Sequence, residues 1–166
     1  MHPSDHYLNR ELSLLAFNRR VLAQAADARV PLLERLRFLC IVSSNLDEFF
    51  EIRVAGLKQL LEAGSVQVGP DGLSVEGQLE AIHEEAAALV QDQYACLQSL
   101  LPLMAQEGVC LWQAPMLSSA QQDWLREHFR HEVEPVLSPL GLDPARPFPR
   151  IQNKSLNFVV RLAGKD

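Results

Sequence analysis

Apolar residues recur at steps of three and four positions through most of the first 107 residues, and this spacing constrains the fold more than any other feature of the chain. Side chains at such steps lie on one face of an α-helix. The pattern predicts a helix from Leu12 to Ala28 with Ser13 as its N-cap, and a second helix that starts at Pro31. Since each helix needs a partner for its apolar face, a helical bundle is expected.

A cluster of short polar residues at positions 43–45 interrupts the second apolar pattern. Such side chains compete for backbone hydrogen bonds and favour helix starts over helix interiors. We therefore expect a third helix to begin at this cluster and to run to about Ala63. In this interpretation Asn45 is a candidate N-cap, with Glu48 at the capping-box spacing.

The longest helical pattern runs from Ser74 to about Gln106, and Gly108 is placed to end it. Pro102 lies inside this pattern and cannot donate a backbone hydrogen bond, which predicts a kink or an early break near residue 98. Residues 1–107 are therefore predicted to form an antiparallel helical bundle.

The pattern changes after Gly108. The segment VCLW predicts a short strand, residues 118–119 predict the start of a helix that runs to about Val133, and LNFVVRLAG alternates as a strand does. A terminal strand needs a neighbour to pair with, so we expect residues 108–166 to be the truncated beginning of an α+β domain. The predicted fold class is mainly α.

The charge of the chain is unevenly distributed. There are 15 basic and 21 acidic residues, for a net charge of −6. Residues 71–110 hold seven acids and no Lys or Arg, so the rest of the chain sums to +1. Because a negative protein repels a polyanion, no nucleic-acid partner is expected.

The sequence contains no apolar run near the ~20 residues that span a bilayer, and its amino terminus lacks the apolar stretch of a signal peptide. We expect a cytoplasmic protein, with peripheral attachment to the inner membrane left open. Cys40, Cys96 and Cys110 form no CxxC pair and stand among apolar residues, which predicts buried free thiols.

Motifs for phosphate binding and catalysis are missing. The sequence has no GxxxxGKS/T or GxGxxG cradle, and no nucleophile and base at a usable spacing, so it predicts no catalytic residue in this chain. His128 and His131 could chelate a metal with Glu132, but exposed helical histidines more often bind nothing, and no metal site is predicted. Basic residues of the first three helices, such as Arg35 and Arg53, could form patches, although solvated faces explain most of them.

Asn45 offers the most specific chemistry in the chain. Its side-chain amide holds a donor and an acceptor side by side, which can pair with the N6 and N7 edge of adenine as no carboxylate can. Asp47 and Glu48 follow it and would oppose a phosphate at a helix start. Two interpretations stay open, an N-cap and an adenine contact, and they do not exclude each other.

Three segments of the chain resemble the amino-terminal region of bacterial polyphosphate kinases of the phosphohistidine type. They read YLNRELSLLAFNRRVLAQAAD, PLLERLRFLCIVSSNLDEFFEIRVAGLKQL and LDPARPFPRIQNKSLNFVV. The family's architecture implies a helical N domain over residues 1–107 and the beginning of a head domain over residues 108–166. In the family, the Asn of the SxNLDEF motif contacts the adenine of ATP, which implies this role for Asn45.

The resemblance also implies a reaction for the full-length enzyme. It reversibly transfers the γ-phosphoryl group of ATP to a histidine and then to the end of a polyphosphate chain, leaving ADP, with Mg²⁺ neutralising charge. The family's histidine, Mg²⁺ ligands and polyphosphate tunnel lie in two carboxyl-terminal domains. We therefore expect this portion to be inactive alone, to meet polyphosphate only through those domains, and to belong to a homo-oligomer as the full-length protein.

One segment departs from the family's pattern. The family's HPFPF segment reads RPFPR here, with Arg146 and Arg150 at its ends, and these charges favour a basic surface near the polyphosphate path.

An alternative function needs no nucleotide: the helices would form an interaction or dimerisation module that docks a partner domain or subunit. Under that alternative, Asn45 only caps its own helix and is covered by protein.

Overall fold

A computed structural model describes residues 6–143, 145, 147–152 and 154–163 of the chain. These residues form five α-helices, two π-helical segments and two 3₁₀ turns, and none of them forms a strand, so the mainly α fold class is confirmed. The helices are α1 (Arg10–Ala26), α2 (Leu32–Glu48), α3 (Ala55–Glu62), α4 (Val75–Gln106) and α5 (Ser119–His128). The π-helical segments are Phe49–Val54 and Phe129–Val133, and the 3₁₀ turns are Ala114–Met116 and Glu134–Val136. The chain divides into two compact units, the first ending at Leu111 and the second starting at Trp112.

Helix α1 begins one turn before its predicted N-cap, because Asn9 caps it. The Oδ1 atom of Asn9 accepts hydrogen bonds from the backbone N–H groups of Glu11 and Leu12, each at 3.0 Å. Its Nδ2 atom donates to Asp71 Oδ2 at 2.6 Å, from a loop more than 60 positions away in sequence. These bonds satisfy N–H groups that a helix start otherwise leaves unbonded. The prediction of Ser13 as the N-cap is therefore wrong.

The predicted helix start at residues 43–45 is also wrong, because α2 runs through this cluster. The backbone stays helical through Phe49–Val54 and into α3, so the irregularity lies just after the cluster, as a π-helical segment. Short polar residues disfavour a helix interior by only about 0.5 kcal/mol each. Burial of Val42 and Leu46 on the same helix outweighs that cost.

Helix α4 has the ends that its sequence predicts. Ser74 is the N-cap and accepts from the N–H of Gly77 at 3.1 Å, and Gly108 follows the helix with a φ of 81°. The predicted break near residue 98 is wrong, because α4 continues for 32 residues with Pro102 inside it. Gln98 is exposed, so water can bond to the carbonyl that Pro102 leaves without a donor.

The core of the first unit forms where α1, α2, the first π-helical segment and α4 pack together. Thirteen buried residues make up this core. They are Leu15, Leu22, Ala25, Leu39, Val42, Leu46, Phe49, Val54, Ile82, Ala86, Leu89, Cys96 and Leu100. Burial of each large apolar side chain contributes about 1.5–3 kcal/mol relative to exposure. Among the described residues, no helix combines the length and apolar character needed to cross a bilayer.

The second unit starts its main helix as predicted. Ser118 caps α5 in a capping box with Gln121, and the helical path reaches Val133 through the second π-helical segment. The two predicted strands are absent: residues 109–112 and 156–163 have no regular structure. Phe158 is 82% exposed, and no described residue pairs with these segments as a β-ladder. A lone strand cannot satisfy its backbone groups, which explains the difference.

The three cysteines differ in burial. All three thiols are free, but Cys96 alone is buried, whereas Cys40 and Cys110 are exposed. Leu39 is one of the residues that α2 buries in the core, and Cys40, one position later on the helix, is exposed. The prediction of buried thiols is therefore wrong for Cys40 and Cys110.

We predict that iodoacetamide alkylates Cys40 and Cys110 in the folded chain and leaves Cys96 unmodified until urea is added. Burial raises the pKa of the Cys96 thiol, and the charge of Arg35 offsets only part of this rise. The thiolate is the nucleophile, so a raised pKa and a buried sulfur both slow the reaction. Peptide mass spectrometry at mildly alkaline pH measures each site. Equal labelling of Cys96 and Cys40 without urea would contradict the packing of α4.

Candidate functional site

A pocket of about 260 Å³ opens between α1 and the helical run formed by α2 and the first π-helical segment. We call it the amide pocket, because two side-chain amides lie in its wall. Its lining residues are Leu14, Leu15, Phe17, Asn18, Asn45, Glu48, Phe49, Ile52 and Arg53. Pockets for drug-sized ligands measure about 300–1,000 Å³. The amide pocket therefore suits a single flat ring system better than a whole nucleotide.

The two amides are joined in a chain of hydrogen bonds that ends on the backbone of α2. Asn18 Nδ2 donates to the carbonyl oxygen of Val42 at 3.2 Å, and Asn45 Nδ2 donates to Asn18 Oδ1 at 3.0 Å. Asn18 is 3% exposed and is the one polar side chain that is buried among the described residues. These bonds therefore connect α1 to α2 inside the core and hold Asn45 at the pocket.

Part of the Asn45 amide stays available. Its NH₂ group has two hydrogens, of which Asn18 accepts one. No donor among the described residues bonds to Asn45 Oδ1. Asn45 is half-buried, and no buried side-chain nitrogen or oxygen of the described residues lacks a hydrogen-bond partner, so this oxygen is accessible to solvent. One N–H donor and the Oδ1 acceptor of Asn45 thus remain unused.

The N-cap interpretation of Asn45 is wrong. Asn45 lies inside α2, three residues before its end, and its side-chain hydrogen bond goes to Asn18 on α1 rather than to a backbone N–H of its own helix. An Asn in a helix interior has a lower helix propensity than Ala, so local structure gives no reason for it here. The hydrogen bond to Asn18 explains why an Asn is found at this position.

Aromatic and charged side chains complete the amide pocket. Phe17 is 48% exposed, and the guanidinium carbon of Arg20 lies 5.6 Å from its ring centroid. Phe49 is buried and meets the ring of Phe50 edge-on, with centroids 5.7 Å apart. Glu48 and Arg53 bring opposite charges to the wall. The pocket therefore combines apolar faces with little net charge.

Two arginines of the first two helices have structural partners, in line with the expectation that few of these basic residues form a patch. Arg35 donates to the carbonyl oxygen of Ala25 at 2.8 Å, at the end of α1. Arg19 joins α1 to α4 through Asp92 at 2.8 Å and Glu85 at 3.3 Å. Of the predicted basic residues, Arg53 is the one that lines the amide pocket.

One of the two histidines considered as metal ligands, His128, makes an aromatic ring contact in the second unit. The ring of His128 stacks on Trp124, with centroids 5.1 Å apart and planes 4° from parallel. Within the part of the chain that the structure describes, no group of three or more His, Cys, Asp or Glu side chains is placed to hold a metal ion. Arg146 lies outside the described residues and Arg150 is exposed, so the basic surface suggested for them stays a prediction.

Comparison with known proteins identifies the family. The polyphosphate kinase N-terminal domain matches residues 7–112, which is more than half of the chain. The chain belongs to the polyphosphate kinase family. The polyphosphate kinase middle domain matches residues 120–166, so the resemblance found in the sequence is confirmed across both parts.

Individual polyphosphate kinases agree with this assignment. The chain is 54% identical over 160 residues to the polyphosphate kinases of Burkholderia multivorans and Burkholderia vietnamiensis, and 53% identical to that of Paraburkholderia phytofirmans. Each alignment covers 96% of this chain and 23% of the relative, so the chain spans about a quarter of the length of these curated relatives. No solved structure gives a significant match.

Sequence reasoning pointed to Asn45 and missed Asn18. A signal was present, because Asn18 stands on the buried stripe of α1, three positions after Leu15 and four before Leu22. A polar residue on an otherwise apolar face needs a hydrogen-bond partner inside the core. The partner lies 27 positions away and could not be read from local spacing.

We predict that Asn18 and Asn45 are energetically coupled in the chain. In a double-mutant cycle of Asn18→Ala and Asn45→Ala, unfolding by urea should give a coupling free energy of about 0.5–1.5 kcal/mol. The matched cycle of Asn18→Ala with Ser44→Ala, an exposed position on α2, should be additive within about 0.5 kcal/mol. Additivity in both cycles would contradict the amide contact.

Proposed function

We propose that this chain, the N-terminal portion of a polyphosphate kinase, holds the adenine base of ATP in the amide pocket while other parts of the full-length enzyme transfer the phosphoryl group. The observation that carries this proposal is the half-buried Asn45 amide, which keeps one donor and one acceptor unused at a pocket of single-ring-system size. The predicted division into a helical N domain (1–107) and the start of a head domain (108–166) is part of the proposal.

The chemistry of the amide supports adenine as its partner. The N6 amino group of adenine donates to an amide oxygen, and the neighbouring ring nitrogen accepts from the amide N–H, so both unused atoms of Asn45 are satisfied together. A carboxylate offers acceptors alone and cannot make this pair. Phe17 is exposed at the pocket and offers a face for base stacking, which contributes about 1–3 kcal/mol in other base-binding proteins.

The amide pocket offers no dedicated site for phosphate. The charges of Glu48 and Arg53 offset each other, and the sequence has no glycine-rich cradle, so the triphosphate is expected to extend away from the amide pocket. In this proposal the full-length enzyme reversibly transfers the γ-phosphoryl group of ATP to polyphosphate. The residues described offer no ligand cluster for Mg²⁺, and the proposal gives them no role in its binding.

A second candidate function is docking of a partner. A groove of about 500 Å³ lies between α2 and α4, on residues that include Leu39, Phe50, Tyr94 and Leu97. Tyr94 is a large aromatic side chain that is 61% exposed at this groove. A second copy of the protein is one partner that the resemblance leads us to expect. Docking and base binding use different residues and can coexist.

We predict that Asn45→Ala raises the KM for ATP about two- to ten-fold in a full-length polyphosphate kinase that contains these residues, with kcat largely kept. Loss of hydrogen bonds with a net value of about 0.5–1.5 kcal/mol weakens ground-state and transition-state binding alike, which changes KM and spares kcat. ATP-dependent polyphosphate synthesis over a range of ATP concentrations measures both constants.

Ser44→Ala is the matched control, because Ser44 is the exposed neighbour on the same helix and does not line the amide pocket. It should leave the KM for ATP unchanged. An unchanged KM in Asn45→Ala would exclude the base contact and leave docking as the better candidate. Absence of polyphosphate from the unmodified enzyme would overturn the proposed reaction.

A further inference from the structure

We propose that Asn18 is a positioning residue that fixes the orientation of the Asn45 amide and thereby makes the amide pocket select 6-amino purines over 6-oxo purines. This inference rests on the proposed function, since it concerns the base that the pocket receives. Asn18 is only 3% exposed, too little to bind a ligand directly, so its effect passes through Asn45.

The orientation is fixed by a group that can only accept. The carbonyl oxygen of Val42 has no hydrogen to donate, so Asn18 must direct its NH₂ group toward Val42. Asn18 Oδ1 then faces Asn45, which must in turn direct its own NH₂ group toward Asn18. The Asn45 oxygen is therefore on the other side of its amide, away from Asn18.

Reversing the orientation of the Asn45 amide, or of both amides, costs free energy because it places two acceptors against each other. A flipped Asn45 would place Oδ1 against Asn18 Oδ1, and a flip of both amides would place Asn18 Oδ1 against the carbonyl oxygen of Val42. The contact between Asn18 and Val42 is buried, so water cannot enter there to separate two facing oxygens. Two facing acceptors without a proton between them lose their hydrogen bonds and repel each other.

A fixed amide distinguishes purines by the group at position 6. In adenine this group is an amino donor, which matches the Asn45 oxygen. In guanine and hypoxanthine it is a carbonyl oxygen, which would meet Asn45 Oδ1 as a second acceptor. An amide free to rotate could turn its NH₂ group toward the 6-oxo group and donate a hydrogen bond to it, so selectivity depends on the contact with Asn18.

The test compares ATP with ITP as phosphoryl donors for the full-length enzyme. ITP shares the ribose and triphosphate of ATP and differs in its 6-oxo group and the associated N1 proton, so it isolates this part of the base. Asn18→Leu keeps a similar side-chain volume and removes the amide. We expect the ratio of kcat/KM for ATP to that for ITP to fall about ten-fold, within the range of one bidentate base contact, with kcat for ATP largely kept.

Two further variants separate positioning from a loss of packing. Leu22→Val removes part of a buried side chain one turn along α1, outside the amide pocket, and should lower stability without changing the ATP to ITP ratio. Asn18→Ala also removes the amide and adds no polar group, and it serves in case Asn18→Leu does not fold. Urea unfolding of each variant establishes that the enzyme assayed is folded.

The outcomes distinguish this inference from the proposed function. If Asn45→Ala leaves the KM for ATP unchanged, the base contact itself is wrong. If Asn45→Ala raises that KM while both folded Asn18 variants keep the wild-type ATP to ITP ratio, the positioning role alone is overturned. In the Asn45→Ala background, Asn18→Leu should change the ratio no further, and an additional fall would also contradict positioning through Asn45.

Discussion

The buried amide of Asn18 is the contact on which both the packing of α1 and the form of the pocket depend. It sits among apolar side chains of the first unit, where an unbonded polar group would cost about 1–3 kcal/mol. Its two hydrogen bonds remove that cost only if α1 and α2 meet at one relative position, with Asn18 opposite Val42 and Asn45. Apolar packing alone tolerates more than one arrangement, whereas this polar contact specifies one.

The π-helical segment Phe49–Val54 shows how the same helical run serves both a core and two surfaces. Its first residue, Phe49, is buried and lines the amide pocket, while Phe50 lines the groove between α2 and α4. A wider helical turn redirects the side chains that follow it, and such segments are frequent at functional sites. Because the helix continues through the segment into α3, these surfaces are built without a break in the backbone.

The helical fold was predictable where a single local signal dominated, and the site only in part. The ends of α4 at Ser74 and Gly108 were predicted correctly, because an N-cap and a positive φ are properties of single residues. The cluster at residues 43–45 gave the opposite result, since its weak preference for a helix start was outweighed by burial of its neighbours. Asn45 stood out by its chemistry, but its bond to Asn18 spans 27 positions and arises only when α1 packs on α2. Long-range pairing of this kind has no periodic signature in sequence.

The arginine that joins α1 to α4 adds a contrast between two kinds of interhelical contact. Arg19 reaches Asp92 and Glu85 from side chains that are all more than a third exposed, so dissolved ions weaken these pairs as ionic strength rises. The amide contact between α1 and α2 involves neutral groups within the core, where such screening has little effect. A rise in ionic strength should therefore weaken the attachment of α1 to α4, while the amide contact at the pocket keeps its geometry.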